Sequence, residues 1–174
     1  MMALFLALAC GGSGPGAVVD LAPVAIGEAE CGVCGMVVGE QPSPRGQLVY
    51  RDGSHTQVCS VDELRALAES PGARGRPVAV YVETLPADHD WTAADTTPQP
   101  WSPVSDAAFV FGAERPWVMG VPVLAYASPE AAAAVAARLG THAVDWAALA
   151  STPVPQIPNQ AGFTGRHPST GESP

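Results

Sequence analysis

The order strand, strand, helix, strand is predicted twice along this chain, and that repeat restricts the available folds more than any other feature. Three strands are predicted in the first copy, at residues 47–50, 55–59 and 77–82. The Asp52-Gly53 pair between the first two strands is typical of a hairpin turn. A helix is expected after the second strand, because Ser60 and Glu63 have the spacing of a capping box and apolar residues follow at helical intervals. The first copy therefore predicts a ββαβ unit.

The second copy follows the same order with different residues. Strands are predicted at 107–111 and 121–126, and a last short strand at 142–146. The helix is expected to begin at Ser128-Pro129, since serine is favoured at the N-cap and proline at the first helical position. Each copy alone is small for an independent core, so we expect an α+β fold in which two similar ββαβ units pack together.

The two ends of the chain differ from this repeated middle. Residues 1–9 form an apolar run, and Cys10 with the Gly-rich residues after it resembles a bacterial lipoprotein cleavage site, in which Cys10 becomes lipidated. Residues 151–174 contain five prolines and few apolar side chains, so they cannot bury enough surface to fold. The predicted organisation is a signal peptide, lipid anchor and flexible tether at 1–23, a first ββαβ unit at 24–95, a second at 96–150 and a disordered tail at 151–174.

Charge and residue usage exclude several functions. The formal net charge is −9, and all eight basic residues are arginine. Such an acidic chain lacks the basic face that nucleic-acid binding requires, so no nucleic-acid partner is expected. The absence of lysine excludes enzymes that form a Schiff base and nucleotide hydrolases of the P-loop type. The chemistry of the chain therefore depends mainly on its four cysteines and four methionines.

The sulfur-containing residues after the leader fall into three places. The segment Cys31-Gly-Val-Cys34-Gly-Met36 brings two thiols and a thioether together, and its glycines permit a tight turn around a bound atom. Cys59 ends a predicted strand, and Met119 stands before Gly120 between two predicted strands. Thiolate and thioether ligands are soft and select Cu(I), whereas cysteines alone also suit zinc. The pattern therefore indicates a site for a soft metal ion.

Other interpretations of the same residues remain open. The Cys31–Cys34 pair is also compatible with a stable disulfide in an exported protein, or with a thiol–disulfide redox motif. A thioredoxin-like motif stands between a strand and a helix, whereas no helix is expected directly after Cys34. Met36 and Met119 are each compatible with ordinary core packing. A structural zinc site is less favoured, because it requires four Cys or His ligands and no second CxxC pair occurs.

Several segments occur in an order known from one family. The CxxCGM segment at 31–36 is followed by a Pro-rich stretch, a strand that ends at Cys59, a helix, and later a Met119-Gly120 loop and a final helix. In this order the chain resembles the NosL-type copper lipoproteins, over roughly residues 24–149. The order of the segments is more diagnostic than any single motif.

The resemblance implies a fold, a cargo and a client. It implies two similar ββαβ units, the binding of a single Cu(I) and delivery of that copper to nitrous oxide reductase and its membrane assembly machinery. It also implies a lipid-anchored protein on the periplasmic side of a bacterial membrane, with no enzymatic activity. With copper as the cargo, the first-choice ligands are Cys34, Met36 and Met119, followed by Cys31 and then Cys59. The alternative function is that of an exported CxxC thiol–disulfide redox protein.

Overall fold

The first sheet has four strands arranged around β1. The computed structural model describes residues 19–70 and 72–152. β1 (Gly46–Val49) pairs antiparallel with β2 (His55–Val58) and with β3 (Ala79–Glu83), and β4 (Trp101–Pro103) pairs with β3. α1 (Val61–Glu69) connects β2 to β3, and its Leu64 lies directly against Gly46 of β1. The elements from β1 to β3 therefore form a ββαβ unit with its helix on one face of the sheet.

Two strands of the second sheet, β5 and β6, are largely buried on both faces. Its central strand β5 (Ala108–Phe111) pairs antiparallel with β6 (Val123–Tyr126) and β7 (Ala143–Val144), and α2 (Pro129–Leu139) connects β6 to β7. Side chains alternate along a strand, so Phe109 packs in the core of the first unit while Val110 packs with residues of α2. Burial on both sides explains why β5 and β6 are continuous apolar runs.

The predicted α+β fold with two similar ββαβ units is confirmed by these elements. Both helices begin where the sequence predicts, because the Ser60 side chain accepts from the N–H of Glu63 and the Ser128 side chain accepts from the N–H of Ala131. The units share one apolar core, in which Phe109 and Val123 of the second unit pack with residues of the first, including Leu48, Val58 and Leu64.

Two elements near the second unit differ from the prediction. β4 falls within residues 96–150, the range predicted for the second unit, yet it pairs with β3 of the first sheet. It is an edge strand among prolines, which lack the N–H that a central strand needs, so its local pattern does not signal a strand. The last predicted strand is shorter than 142–146, because Asp145 caps a third helix, α3 (Trp146–Ser151), by accepting from the N–H of Ala148.

A buried ion pair fastens the segment before β1 to β3. The guanidinium of Arg45 donates to both carboxylate oxygens of Glu83, at 2.7 Å from Nε and 2.8 Å from Nη2, and neither side chain is exposed. Arg45 also donates to the carbonyl oxygens of Gln41 and Thr96 and to Oγ of Ser43. Glu83 also accepts from the N–H of Gln99. A buried network that is satisfied in this way holds its segments in one arrangement.

Some predictions concern residues outside the described part of the chain. Cys10, the predicted lipidation site, lies outside it, as do residues 1–18 of the predicted leader and tether and residues 153–174 of the predicted tail. Among the described residues, none of the helices has the length and apolar character needed to cross a bilayer.

Candidate metal centre

Three thiols and one carboxylate meet beside the first turn of α1. The Sγ atoms of Cys31, Cys34 and Cys59 and a carboxylate oxygen of Glu63 all lie within 4.8 Å of one another. Cys34 Sγ is 3.6 Å from Cys59 Sγ, and Cys31 Sγ is 3.3 Å from Glu63 Oε2. All three cysteines are free thiols. We call these four side chains the thiol cluster.

The segment that carries Cys31 and Cys34 folds back on itself. The N–H of Cys31 donates to the carbonyl of Met36 at 2.7 Å, and the N–H of Gly35 donates to the carbonyl of Cys31 at 3.0 Å. Gly35 has a φ of +74°, a conformation that residues with a side chain rarely adopt. The glycine after Cys34 is therefore required by the tight turn, as the sequence predicts.

The end of β2 brings Cys59 to the same place. The N–H of Gly32 donates to the carbonyl of Gln57 at 2.9 Å, so the CxxC turn docks on the chain two residues before Cys59. Cys31 and Cys59 are each only 4% exposed, whereas Cys34 is half-buried. The cluster therefore has two thiols in the interior and one nearer the surface.

Glu63 is the member of the cluster that the sequence does not reveal. In a capping box its carboxylate accepts from the backbone of the N-cap residue. Here its Oε2 accepts instead from the N–H of Cys59 at 3.0 Å and from the thiol of Cys31. The one sequence feature that could have indicated its place in the cluster is its spacing of four residues from Cys59, about one helical turn.

Burial controls the charge state of two of the thiols. Desolvation raises the pKa of Cys34, and it raises the pKa of Cys59 more strongly, with a further contribution from the neighbouring thiols. Both groups are therefore protonated at neutral pH in the metal-free protein. A soft metal ion displaces such protons, because the thiolate is the ligand. The cluster can thus present thiolates and one carboxylate to a single ion.

Alkylation of Cys34 and Cys59 in the metal-free protein by iodoacetamide is expected to be slower at pH 7 than that of free cysteine. The raised pKa values leave little thiolate at that pH, so labelling should accelerate about tenfold for each pH unit up to pH 9. Cys34 is expected to react before Cys59, since it is more exposed. Peptide-resolved mass spectrometry measures both rates, and labelling in guanidinium chloride serves as the control. Fast labelling of Cys59 at pH 7 in the folded chain would contradict this expectation.

The two candidate methionines lie in different surroundings. Met36 is half-buried and packs against the core that contains Cys31 and Cys59. Met119 is 46% exposed and lies between β5 and β6, next to Gly120, which contacts Asp62 of α1. The structure thus brings the three predicted cysteines together and puts Met36 in the same turn. It puts Met119 on a separate loop that contacts the first turn of α1.

Comparisons with known proteins find similar chains. A family model described as NosL matches residues 23–154. The solved structure titled "Crystal structure of the copper chaperone NosL from Shewanella denitrificans" has a TM-score of 0.60 and 23% sequence identity, over 72% of this chain and 93% of that chain. No curated protein matches this chain. The structural similarity therefore extends to the fold as a whole.

Proposed function

Because the chain belongs to the NosL family, we propose that it carries a single Cu(I) ion and delivers it to a copper-dependent enzyme. The matched residues, 23–154, contain both ββαβ units and the whole thiol cluster. The observation that carries the proposal is the cluster itself, in which three free thiols converge with all ligand atoms within 4.8 Å. Thiolates are ligands that select Cu(I) over harder ions.

The proposed ligands are thiolates from the cluster and thioethers from the two methionines. Cys34 is the leading candidate, because it is the thiol nearest the surface and its sulfur is 3.6 Å from that of Cys59. That short separation also supports Cys59, which ranks last among the ligands predicted from the sequence. Cys31 is a third thiolate donor, and Met36 and Met119 are the thioether donors of the proposal.

The unequal burial of these ligands supports transfer rather than permanent storage. Cys31 and Cys59 are held inside, whereas Cys34 is half-buried and Met119 is exposed. Exposed ligands are the ones that a partner's side chains can replace first. Copper then passes by stepwise ligand exchange, and it is bound to one protein or the other throughout.

We propose nitrous oxide reductase and its membrane assembly machinery as the receiving system. The family resemblance of the sequence supports this client, and the solved relative is titled a copper chaperone. In this proposal Cys10 is lipidated and anchors a non-catalytic protein on the periplasmic side of the membrane. The tether between anchor and domain raises the effective concentration of the domain near membrane-bound partners.

A Cu(I) titration of the full chain tests the proposed cargo. We expect one equivalent of Cu(I) to be retained against a coloured chelator such as bicinchoninate, with higher affinity than for Zn(II), because soft sulfur ligands favour Cu(I). A Cys10→Ser chain is the control, since it removes the one cysteine that lies outside the cluster. Failure to retain one equivalent, or preferential retention of Zn(II), would contradict the proposal.

The competing function, an exported thiol–disulfide redox protein, is less well supported. Redox-active cysteines have lowered pKa values, whereas burial raises the pKa of Cys34. A redox function requires a Cys31–Cys34 disulfide that forms and breaks, and it gives Met36 and Met119 no role. Thiol–disulfide exchange with glutathione, measured with and without Cu(I), separates the two functions.

A further inference from the structure

The loop that carries Met119 is fastened to the first unit at two points. We call residues 112–122, between β5 and β6, the methionine loop. Near its start, Nη2 of Arg115 donates to the carbonyl of Ser43 at 2.6 Å. Near its end, the N–H of Val121 donates to Oδ2 of Asp62 at 3.2 Å. Met119 therefore lies on a span whose two ends are both held by residues that precede β3.

Asp62 makes the second of these contacts, two residues from Met119. Its other oxygen, Oδ1, accepts from Nη2 of Arg65 at 3.0 Å, and its side chain is only 18% exposed. Arg65 is itself fixed by a bond to the carbonyl of Thr152 at 3.1 Å. The carboxylate is thus held by a cation on one side while it accepts from the loop on the other.

The backbone of the methionine loop fits closely against this carboxylate. Gly120 has a φ of +78°, and a Cβ added there would lie 2.6 Å from Oδ2 of Asp62. Any residue with a side chain at position 120 would therefore strain the backbone and displace the carboxylate. The glycine after Met119 permits both the turn and the close contact.

Asp62 and Glu63 are adjacent residues in the first turn of α1, and they bond to two different parts of the candidate site. Glu63 accepts from the thiol of Cys31 and the N–H of Cys59, whereas Asp62 accepts from the methionine loop. Consecutive helical residues are separated by about 100° around the axis, since a helix has about 3.6 residues per turn. The two carboxylates therefore point to adjacent sides of the first turn of α1, Glu63 toward the thiol cluster and Asp62 toward the methionine loop.

We infer that Asp62 is a positioning residue, which holds Met119 where its thioether can join a Cu(I) ion at the thiol cluster. The inference rests on the proposed function and adds to it a residue that binds no metal itself. Among the described residues, Met119 belongs neither to the core shared by the units nor to the apolar cluster of Val110 with α2, so its side chain does not fix the loop by packing. The hydrogen bond from Val121 reduces the freedom of the loop before copper binds, and such preorganisation increases affinity.

A double-mutant cycle on the full chain tests this inference, with Cu(I) affinity measured by competition against bicinchoninate. Asp62→Ala is expected to weaken Cu(I) binding about tenfold, the lower end of what the loss of an outer contact to a metal ligand causes. In a Met119→Leu background the same change is expected to have no effect, because no thioether remains to be positioned. Asp62→Asn keeps an oxygen that accepts from Val121 and is expected to restore most of the affinity.

A copper-free measurement distinguishes positioning from a general loss of structure. Hydrogen exchange at the Val121 amide is expected to accelerate in Asp62→Ala and to stay slow in Asp62→Asn, with unchanged protection in β1. Unchanged exchange at Val121 in Asp62→Ala would overturn the inference. Equal losses of affinity in both backgrounds, in a wild-type chain that binds one Cu(I), would overturn it and leave the proposed function intact. A wild-type chain that binds no Cu(I) would overturn both.

Discussion

The double variant Cys34→Ser with Cys59→Ser is expected to bind Cu(I) more than about 100-fold more weakly, because it loses two donor atoms. Loss of a group that only contacts a metal ligand already lowers metal affinity about 10- to 100-fold. These two residues carry the pair of sulfurs that lie 3.6 Å apart. Serine nearly matches cysteine in shape, but its hydroxyl is a hard donor that stays protonated at neutral pH. Cys31 then remains as the one thiolate of the cluster. Competition with a coloured Cu(I) chelator measures the change.

The control for this double variant is His142→Gln, which removes an exposed imidazole from the second unit. Its Cu(I) affinity is expected to equal that of the wild-type chain. Because Cys59 is buried, thermal unfolding of the metal-free double variant must show that the fold persists. Cys34→Ser alone, at a half-buried position, provides a variant that disturbs the fold less. One-equivalent binding of undiminished affinity in a folded double variant would refute the assignment of these ligands.

Glu83→Gln is expected to lower the free energy of unfolding by about 3–5 kcal/mol, the usual effect of removing one partner from a buried ion pair. Glu83 and Arg45 are both fully buried, and the glutamine leaves the guanidinium without a counter-charge. In the wild-type chain each carboxylate oxygen of Glu83 accepts from Arg45. The NH₂ group of the glutamine would therefore face an N–H donor of Arg45. Chemical denaturation of the metal-free chain at pH 7 measures this loss.

Glu69→Gln is the matched control for the stability measurement. Glu69 is exposed at the end of α1, so the same change of residue there is expected to shift the free energy of unfolding by no more than about 0.5 kcal/mol. The combined Arg45→Met and Glu83→Leu variant removes both charges and is expected to recover part of the lost stability. Similar small effects at positions 69 and 83 would show that the buried pair contributes little.

Short-range signals explain which parts of the fold the sequence predicts. The Asp52-Gly53 turn and the caps at Ser60 and Ser128 act on residues within four positions of themselves, and each element they predict is present. β4 has no such signal, because its strand character comes from pairing with β3 in a distant part of the chain. The helical start at Trp146 depends on a cap by Asp145, which the apolar pattern of the predicted strand conceals.

The same distinction applies to the candidate site. The three cysteines stand out because thiols are rare in this chain and have few structural uses outside disulfides and metal sites. Glu63 does not stand out, because helix capping already explains a glutamate at that position. The bond between Asp62 and Val121 joins residues 59 positions apart, and nothing in either local pattern indicates it. Hydrogen bonds between residues far apart in the sequence can be identified only from the folded structure.

The shared core gives a structural reason why neither ββαβ unit, each small for an independent core, is expected to fold alone. Phe109 and Val123 of the second unit pack with Leu48 and Leu64 of the first, and all four are at most 4% exposed. Separating the units would expose part of these side chains to water, and full exposure of one such side chain costs roughly 1.5–3 kcal/mol. We therefore expect the two units to unfold as one cooperative block, with neither unit stable on its own.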